Sequence, residues 1–274
     1  MKRALTVLLM MISSLAFTQQ RYLIFANGYR GFEVDTMMTS NEVYTLSPIG
    51  KYSPSGYWYD YDDTLITRFH PDHALYIDGH HSITTSSHRT KWKSFKSYFL
   101  TRFGWFGRRQ WPFNDTPNQE GFMTRVENGK ICGENFIREY LNPEIKDTLD
   151  MVCHSMGYAY MLGFLSVLKS KMIPGKILIL APEGANIMGC EWNDFIEVWQ
   201  YGSNRLERKA DVTFRQDGIA PQYPVKGIEQ LKPGKGGRLF IPKHGKKGFI
   251  RSHHLSYWQW FFTIKPSDYG YFGR

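Results

Sequence analysis

Short hydrophobic runs alternate along the chain with longer stretches in which hydrophobic residues recur every three or four positions. The short runs predict β-strands that are covered on both faces. The longer stretches predict amphipathic helices. The predicted strands are Tyr22–Ala26 in RYLIFANGYRGF, His73–Gly79 (HALYIDG), Asp147–Cys153 (DTLDMVC), Gly175–Ala185 (GKILILAPEGA), ADVTFRQDG from Ala210 and GRLFIP from Gly237. The predicted helices are WKSFKSYFLTRF from Trp92, GENFIREYL from Gly133 and GYAYMLGFLSVLKSK from Gly157.

This alternation of strands and helices predicts the α/β class, with a mostly parallel central sheet flanked by helices. In such sheets the loops at the carboxyl ends of the strands build the functional site. The chain has 274 residues, of which 42% are hydrophobic and 16% aromatic, so it can bury a large core. Since no Pro/Gly/Ser-rich linker divides it, we expect a single domain.

The first residues form a segment of a different kind. Met1-Lys2-Arg3 is a short basic start, and ALTVLLMMISSLAF follows from Ala4 to Phe17. A basic start, an apolar run and small residues after it are typical of a secretory signal peptide, and the run is short for a membrane span. We therefore predict a signal peptide over residues 1–18 and an exported domain over 19–274. A buried first helix or strand is the alternative.

Ser155 lies where a predicted strand leads into a predicted helix, in the sequence DMVCHSMGYAY. Gly157 removes the side chain that would crowd the start of the helix against the strand, so the turn can be tight. A tight turn projects the hydroxyl outward. It also directs the backbone N–H of Met156 toward the place where negative charge forms on an attacked carbonyl. A structural serine at a helix N-cap is the alternative.

The stretch VCHSMGYAYMLGFL resembles the nucleophile elbow of the α/β-hydrolase family, lipase- and esterase-like members in particular, whose pattern is G-x-S-x-G. Cys153 stands where the family usually has its first glycine. The resemblance runs in strand order from LIFANGYRG to the histidines near residue 253, but it does not include the segment between Phe32 and Gly129. It implies an α/β-hydrolase-like domain with lid or cap insertions.

A serine nucleophile requires a base, and the base requires an orienting carboxylate. The family places these in the order serine, acid, histidine. The resemblance implies Asp217 as the acid, because its carboxylate would emerge at the carboxyl end of ADVTFRQDG; a plain Asp-Gly turn is the alternative. His253 in FIRSHHLSYWQWF is the predicted base, and its neighbour His254 is the fallback.

The groups around the substrate follow from the same resemblance. The backbone N–H groups of Tyr29 and Met156 would form the oxyanion hole, and Gly28 would let the substrate approach closely. His154, beside the serine, is a candidate for the substrate-binding site; local packing or hydrogen bonding is its alternative role.

HPDHALYIDGHH, from His70 to His81, gathers imidazoles and carboxylates, the groups that a catalytic zinc site uses. Its spacing does not match HExxH or another metal-binding pattern. We therefore predict no metal and no other cofactor, and a metallohydrolase is the weaker alternative. His81, at the end of a strand beside the nucleophile, is assigned to the substrate-binding site.

Charge and cysteines add little to this picture. The net charge of +9 becomes 9 − 2 = +7 once Lys2 and Arg3 are removed. A basic stretch over residues 232–251 is either a solvated loop or a contact with an anionic membrane surface, and nothing beside it resembles a nucleic-acid module. Three cysteines, Cys132, Cys153 and Cys190, predict no disulfide framework and no cysteine zinc site, although one bridge is compatible with export.

Two aromatic segments, Phe103–Phe122 and Gly189–Gly202, either cover the site as lids or pack a second layer of core. Exposed Trp and Phe there would suit a lipid or acyl chain. The sequence thus predicts an exported serine hydrolase that cleaves a lipid or acyl ester, and an acyltransferase would use the same residues. A non-catalytic scaffold of the same fold, which would bind a partner through these loops, is the alternative.

Overall fold

The computed structural model describes residues 18–28, 43–44, 56–58, 61–79, 116–202, 223–240 and 253–255. Within these residues seven strands form one sheet in the order β2-β3-β1-β4-β5-β6-β7. The β2–β3 pair is antiparallel, and every other neighbouring pair is parallel. The strands are β1 (Arg21–Ala26), β2 (Val43–Tyr44), β3 (His73–Ile77), β4 (Thr148–His154), β5 (Ile173–Leu180), β6 (Glu197–Gly202) and β7 (Gly236–Phe240). The predicted α/β class and mostly parallel sheet are confirmed.

Both faces of this sheet are covered. In β1, Tyr22 and Ile24 belong to one hydrophobic core and Leu23 and Phe25 to another, because successive side chains of a strand point to opposite faces. The first core contains residues of helices α2 (Thr116–Tyr140) and α3 (Gly157–Leu168), and the second contains residues of α1 (Tyr61–Phe69). Burial on both sides explains why the strands are continuously hydrophobic.

Close contact between α2 and α3 holds the helix that follows the serine. A Cβ atom on Gly163 would lie 1.8 Å from the carbonyl oxygen of Val126, and one on Gly129 would lie 2.1 Å from that of Tyr160. The two backbones therefore meet where neither helix carries a side chain. Nearly all of α3 is buried, as expected of a helix that is hydrophobic all round.

The start of β1 is anchored by an ion pair whose carboxylate is buried. Arg21 Nε lies 2.5 Å from Asp150 Oδ2 in β4, and the Asp150 side chain is fully buried. The other carboxylate oxygen of Asp150 accepts the backbone N–H of Lys176, at 2.6 Å, so the charge is hydrogen-bonded on both oxygens. This arrangement ties β1 to β4 and β4 to β5.

The segment Gly189–Gly202 is part of the core and not a cover over the site, so its interpretation as a lid is wrong. Glu197–Gly202 is strand β6, between β5 and β7, and the side chains of Trp192 and Phe195 are buried. Trp192 Nε1 donates to the carbonyl oxygen of Lys226 at 2.9 Å. The aromatic residues of this segment therefore contribute to folding, which was the alternative interpretation.

Other predictions differ in extent or lie outside the described residues. The helix predicted from Gly133 begins at Thr116, inside the aromatic segment Phe103–Phe122. The strand predicted from Ala210, the helix predicted from Trp92 and the signal-peptide run up to Phe17 lie outside the described residues. Where the structure describes the chain, no helix has the length and apolar character needed to cross a bilayer.

Candidate active site

Ser155 occupies a strained turn between β4 and α3. Its backbone φ is +57°, a region that residues other than glycine seldom adopt. The turn is held by its own backbone: the N–H of Ser155 donates to Leu180 O at 2.9 Å, and Ser155 O accepts N–H groups from Tyr158 and Glu183, each at 3.2 Å. The packing of the neighbouring strands thus offsets the cost of the strained conformation.

Glycines around the turn let four pieces of backbone approach one another. A Cβ atom on Gly157 would lie 2.4 Å from Ala26 O, and one on Gly79 would lie 2.2 Å from Asn27 O. At Gly28 the added atom would lie 2.7 Å from Ser155 Cβ. The predicted reason for Gly157, close packing of the helix start against a strand, is therefore seen directly. Gly28 lies against the serine.

The imidazole of His253 contacts the serine hydroxyl. His253 Nε2 lies 2.9 Å from Ser155 Oγ, and both side chains are buried. The structure thus brings together two of the three predicted members of the triad, 98 residues apart in the chain. It selects His253 over His254 as the residue at the hydroxyl. The separation is a hydrogen-bond distance, which proton transfer between nucleophile and base needs.

His154 holds the backbone of His253. Its Nε2 lies 2.9 Å from the carbonyl oxygen of His253, which can only accept, so Nε2 carries the proton. Burial first, and then the proximity of His253, lowers the pKa of His154 well below its ordinary value, so the ring is neutral. Nδ1 therefore accepts the hydroxyl proton of Tyr57. Both ring nitrogens bond to protein atoms, which matches the local role and not the substrate-binding one.

Glu183 is a member of the site that sequence reasoning missed. Its Oε1 lies 3.2 Å from Ser155 Oγ, and its backbone N–H donates to Ser155 O. Glu183 follows β5, the parallel neighbour of β4, so the carboxyl ends of the two strands bring it beside the serine. The signal was present in LAPEG at the end of a predicted strand, where an acidic residue faces the site edge.

Arg125, on α2, adds a buried positive charge near Glu183. Burial lowers the pKa of the Arg125 guanidinium, and the Glu183 carboxylate acts in the opposite direction. Nη1 donates to Gly121 O within the same helix at 3.1 Å, whereas Nε is buried without a hydrogen-bond partner. The guanidinium remains charged because its ordinary pKa is far above neutrality. It partly offsets the charge of Glu183 from inside the protein.

The loop that carries Gly28 is fixed by Asn27. Asn27 Nδ2 donates to Asp78 Oδ1 at 2.8 Å and to Gly28 O at 2.9 Å, joining the carboxyl ends of β1 and β3. Asp78 comes directly after β3, and His73 opens it, so these two lie at opposite ends as expected. Met156 directly precedes α3, in the N-cap position, where its N–H has no partner within the helix.

Three predicted site residues, Asp217, Tyr29 and His81, lie outside the described residues. Within the residues that are described, no three His, Cys, Asp or Glu side chains group as metal ligands would. His70 and His73 are described, whereas His80 and His81 are not.

Cys132, Cys153 and Cys190 are all free thiols, and burial raises the pKa of each. The bridge left open by the sequence is thus absent among them.

Ser155, His253, Glu183 and Gly28 therefore share one edge of the sheet, where the carboxyl ends of β1, β4 and β5 meet. A strained serine, an imidazole and a nearby backbone loop are parts that acyl transfer uses. Comparison of the chain with protein-family models, with curated proteins and with solved structures finds no significant match.

Proposed function

We propose that this protein is an exported serine hydrolase that cleaves a carboxylic ester, a lipid or acyl ester, through an acyl-enzyme intermediate. One observation carries the proposal: Ser155 Oγ lies 2.9 Å from His253 Nε2, on a strand-to-helix turn with a φ of +57°. A serine that only caps a helix needs neither the strained φ nor a buried imidazole at its hydroxyl.

The chemistry follows from these groups. His253 takes the proton of Ser155, and Oγ forms a bond to the carbonyl carbon of the ester. Negative charge on the carbonyl oxygen is stabilised by the N–H of Met156 and, we propose, of Tyr29; losing one such donor typically costs about 3 kcal/mol. His253 then protonates the leaving alcohol, and water releases the acyl group by the reverse sequence.

We propose Asp217 as the carboxylate that orients His253, because it lies between the serine and the histidine in the chain, as the acid does in α/β-hydrolases. His154 fixes the His253 backbone, and the mechanism also uses an acceptor for the imidazole Nδ1–H, the role proposed for Asp217. Glu183 contacts the serine oxygen and not His253 in this structure, so it is not assigned that role.

Labelling with an uncharged fluorophosphonate tests the proposal. We expect the adduct at Ser155 after peptide mapping, no labelling of Ser155→Ala, and ordinary labelling of Ser166→Ala, which changes an exposed serine of α3. Wild type and Ser166→Ala should also hydrolyse 4-nitrophenyl acyl esters, and Ser155→Ala should not. The activity should remain when a metal chelator is added. An unlabelled, folded wild-type protein would contradict the proposal and favour a binding scaffold.

A further inference from the structure

The hydroxyl of Ser155 lies between two acceptors. His253 Nε2 is 2.9 Å from Oγ on one side and Glu183 Oε1 is 3.2 Å from it on the other. A serine hydroxyl has a single proton, so it can donate to only one of them at a time. In the resting geometry the hydroxyl donates to the carboxylate, and it turns toward the unprotonated Nε2 of His253 when that imidazole acts as the base.

Acylation removes the donor that Glu183 uses. The hydroxyl proton passes to His253, and Oγ becomes an ester oxygen that can only accept. Glu183 Oε1 then faces lone pairs within hydrogen-bond distance, and the residue is half-buried. A carboxylate left without a donor in a partly dry site is unfavourable, and developing oxyanion charge beside it is unfavourable too.

Among the described residues no cationic side chain forms an ion pair with Glu183. The N–H groups of Ser155, Tyr158 and Glu183 itself donate to Leu180 O and Ser155 O. Arg125 offsets part of the charge from the α2 side, but the hydrogen bonds it makes go to its own helix. A donor carried by the substrate can take the place of the serine proton once Oγ is acylated.

We propose that Glu183 binds an ammonium group of the substrate, carried one or two carbon atoms from the scissile carbonyl, so that the preferred substrates are aminoacyl esters. This inference rests on the proposed serine hydrolase. The ammonium gives the carboxylate a charged N–H donor in place of the serine proton, and such hydrogen bonds are stronger than neutral ones. It also counters the charge of Glu183 at the reacting carbonyl. An acyl group with a negative charge at the same position would be rejected.

The ammonium takes no part in proton transfer. The serine proton moves to His253, the Oγ–C bond forms, and the leaving alcohol receives that proton as its bond to carbon breaks. Hydrolysis returns the proton from water to the serine. Glu183 is thus a specificity residue, and its effect should appear in the ratio between two substrates.

Two 4-nitrophenyl esters that differ only in charge test this inference. The ester of alanine carries an ammonium beside the carbonyl, and the ester of 2-methylpropanoic acid carries a methyl group there. We expect the ratio of their kcat/KM values, ammonium over methyl, to fall about tenfold or more in Glu183→Gln relative to wild type at pH 6.5. Glu191→Gln, an equal change of charge at an exposed position, should keep the wild-type ratio.

An unchanged ratio in Glu183→Gln overturns the inference. Glu183→Asp keeps the negative charge but moves it farther from Ser155, because its side chain is shorter. This variant should lower the ratio less than Glu183→Gln, and it replaces Glu183→Gln in the test if that variant does not fold. Failure of wild type to react with the fluorophosphonate is a different result, because it removes the hydrolase itself.

Discussion

His154 donates its Nε2–H to the backbone carbonyl of His253, the residue whose own Nε2 reaches Ser155 Oγ. The residue before the nucleophile therefore holds the backbone of the proposed base. Because burial keeps His154 neutral, its other nitrogen accepts from Tyr57, whose hydroxyl also lies beside Gly28. One chain of hydrogen bonds thus links the loop after β1, the nucleophile turn and the loop of the base.

Replacing His154 should impair acylation more than it impairs folding. In His154→Gln one short side chain cannot reach both Tyr57 and the His253 carbonyl, so the base is displaced from Ser155. Misplacement by about 1 Å can cost about 100-fold in rate. We expect kcat/KM to fall by that order, and by about tenfold in Tyr57→Phe, which removes only one hydroxyl.

Active-site titration with the uncharged fluorophosphonate separates a positioning role from a structural one. If His154 positions the base, all molecules of His154→Gln are eventually labelled, but more slowly than wild type. The pH dependence of the labelling rate should also differ from that of wild type. A loss of rate that matches a loss of titratable sites would instead mean that the variant is partly unfolded and that His154 has no positioning role.

The neutral state of His154 also predicts how stability depends on pH. Its pKa in the folded protein lies below its ordinary value of about 6.5, so the unfolded chain binds more protons between these two values. The contribution of His154 to the free energy of unfolding is therefore fully present above pH 6.5, and it is lost as the pH falls toward the pKa of the folded protein. We expect the free energy of unfolding to drop by about 1 kcal/mol from this group between pH 7.5 and 5.5.

Urea unfolding at the two pH values measures this contribution. Burial and the proximity of His253 lower the pKa of His254 as well, so wild type contains a second contribution of the same sign. His154→Gln should lose part of the pH dependence and His254→Gln a smaller part, since His254 is less buried. A pH dependence equal to that of wild type in His154→Gln would show that His154 is charged or exposed.

Much of the sheet could be predicted because burial on both faces leaves a continuous hydrophobic run, as in β1 and β4. Strand β6 could not, because EVWQYG mixes charged, polar and aromatic residues and resembles an amphipathic loop. It becomes a strand because β5 and β7 pair with it on both sides. The start of α2 could not be predicted either, because TPNQEG has no helical periodicity.

In the site, local chemistry was predictable and long-range pairing only partly so. The strand, serine, glycine and helix around Ser155 lie together in the sequence, and strand order led to His253. The role of His154 depends on Tyr57, 97 residues away, and on His253, 99 residues away, so the sequence left it open. Glu183 was missed because the predicted strand Gly175–Ala185 runs through it, whereas β5 ends at Leu180. Its proximity to Ser155 follows from the pairing of β4 with β5.

Gly28 should tolerate no side chain. In Gly28→Ala the methyl group would lie 2.7 Å from Ser155 Cβ and 2.9 Å from the Tyr57 hydroxyl, so the serine or the loop must move. We expect the rate of fluorophosphonate labelling to fall about 100-fold. Gly234→Asn is the control, because that glycine has no atom within 4 Å of an added Cβ and Asn tolerates its φ of +83°. Normal labelling of Gly28→Ala would mean that the loop is not part of the site.

The contact between α2 and α3 predicts opposite effects of one substitution at two helical glycines. Glycine to alanine inside a helix usually stabilises it by about 1 kcal/mol. At Gly121 in α2 the methyl group would meet only the end of the Arg125 side chain, at 3.3 Å, so Gly121→Ala should gain up to that amount.

At Gly163 in α3 the methyl group would lie 1.8 Å from Val126 O, and the two helices must separate to admit it. Overpacking of this kind outweighs the helix propensity, and we expect a net loss of about 2 kcal/mol in Gly163→Ala. Chemical denaturation of the two variants checks the signs. Equal stabilisation of the Gly121→Ala and Gly163→Ala variants would show that α2 and α3 are farther apart than the glycine contacts indicate. The position of α3 behind Ser155 would then be wrong as well.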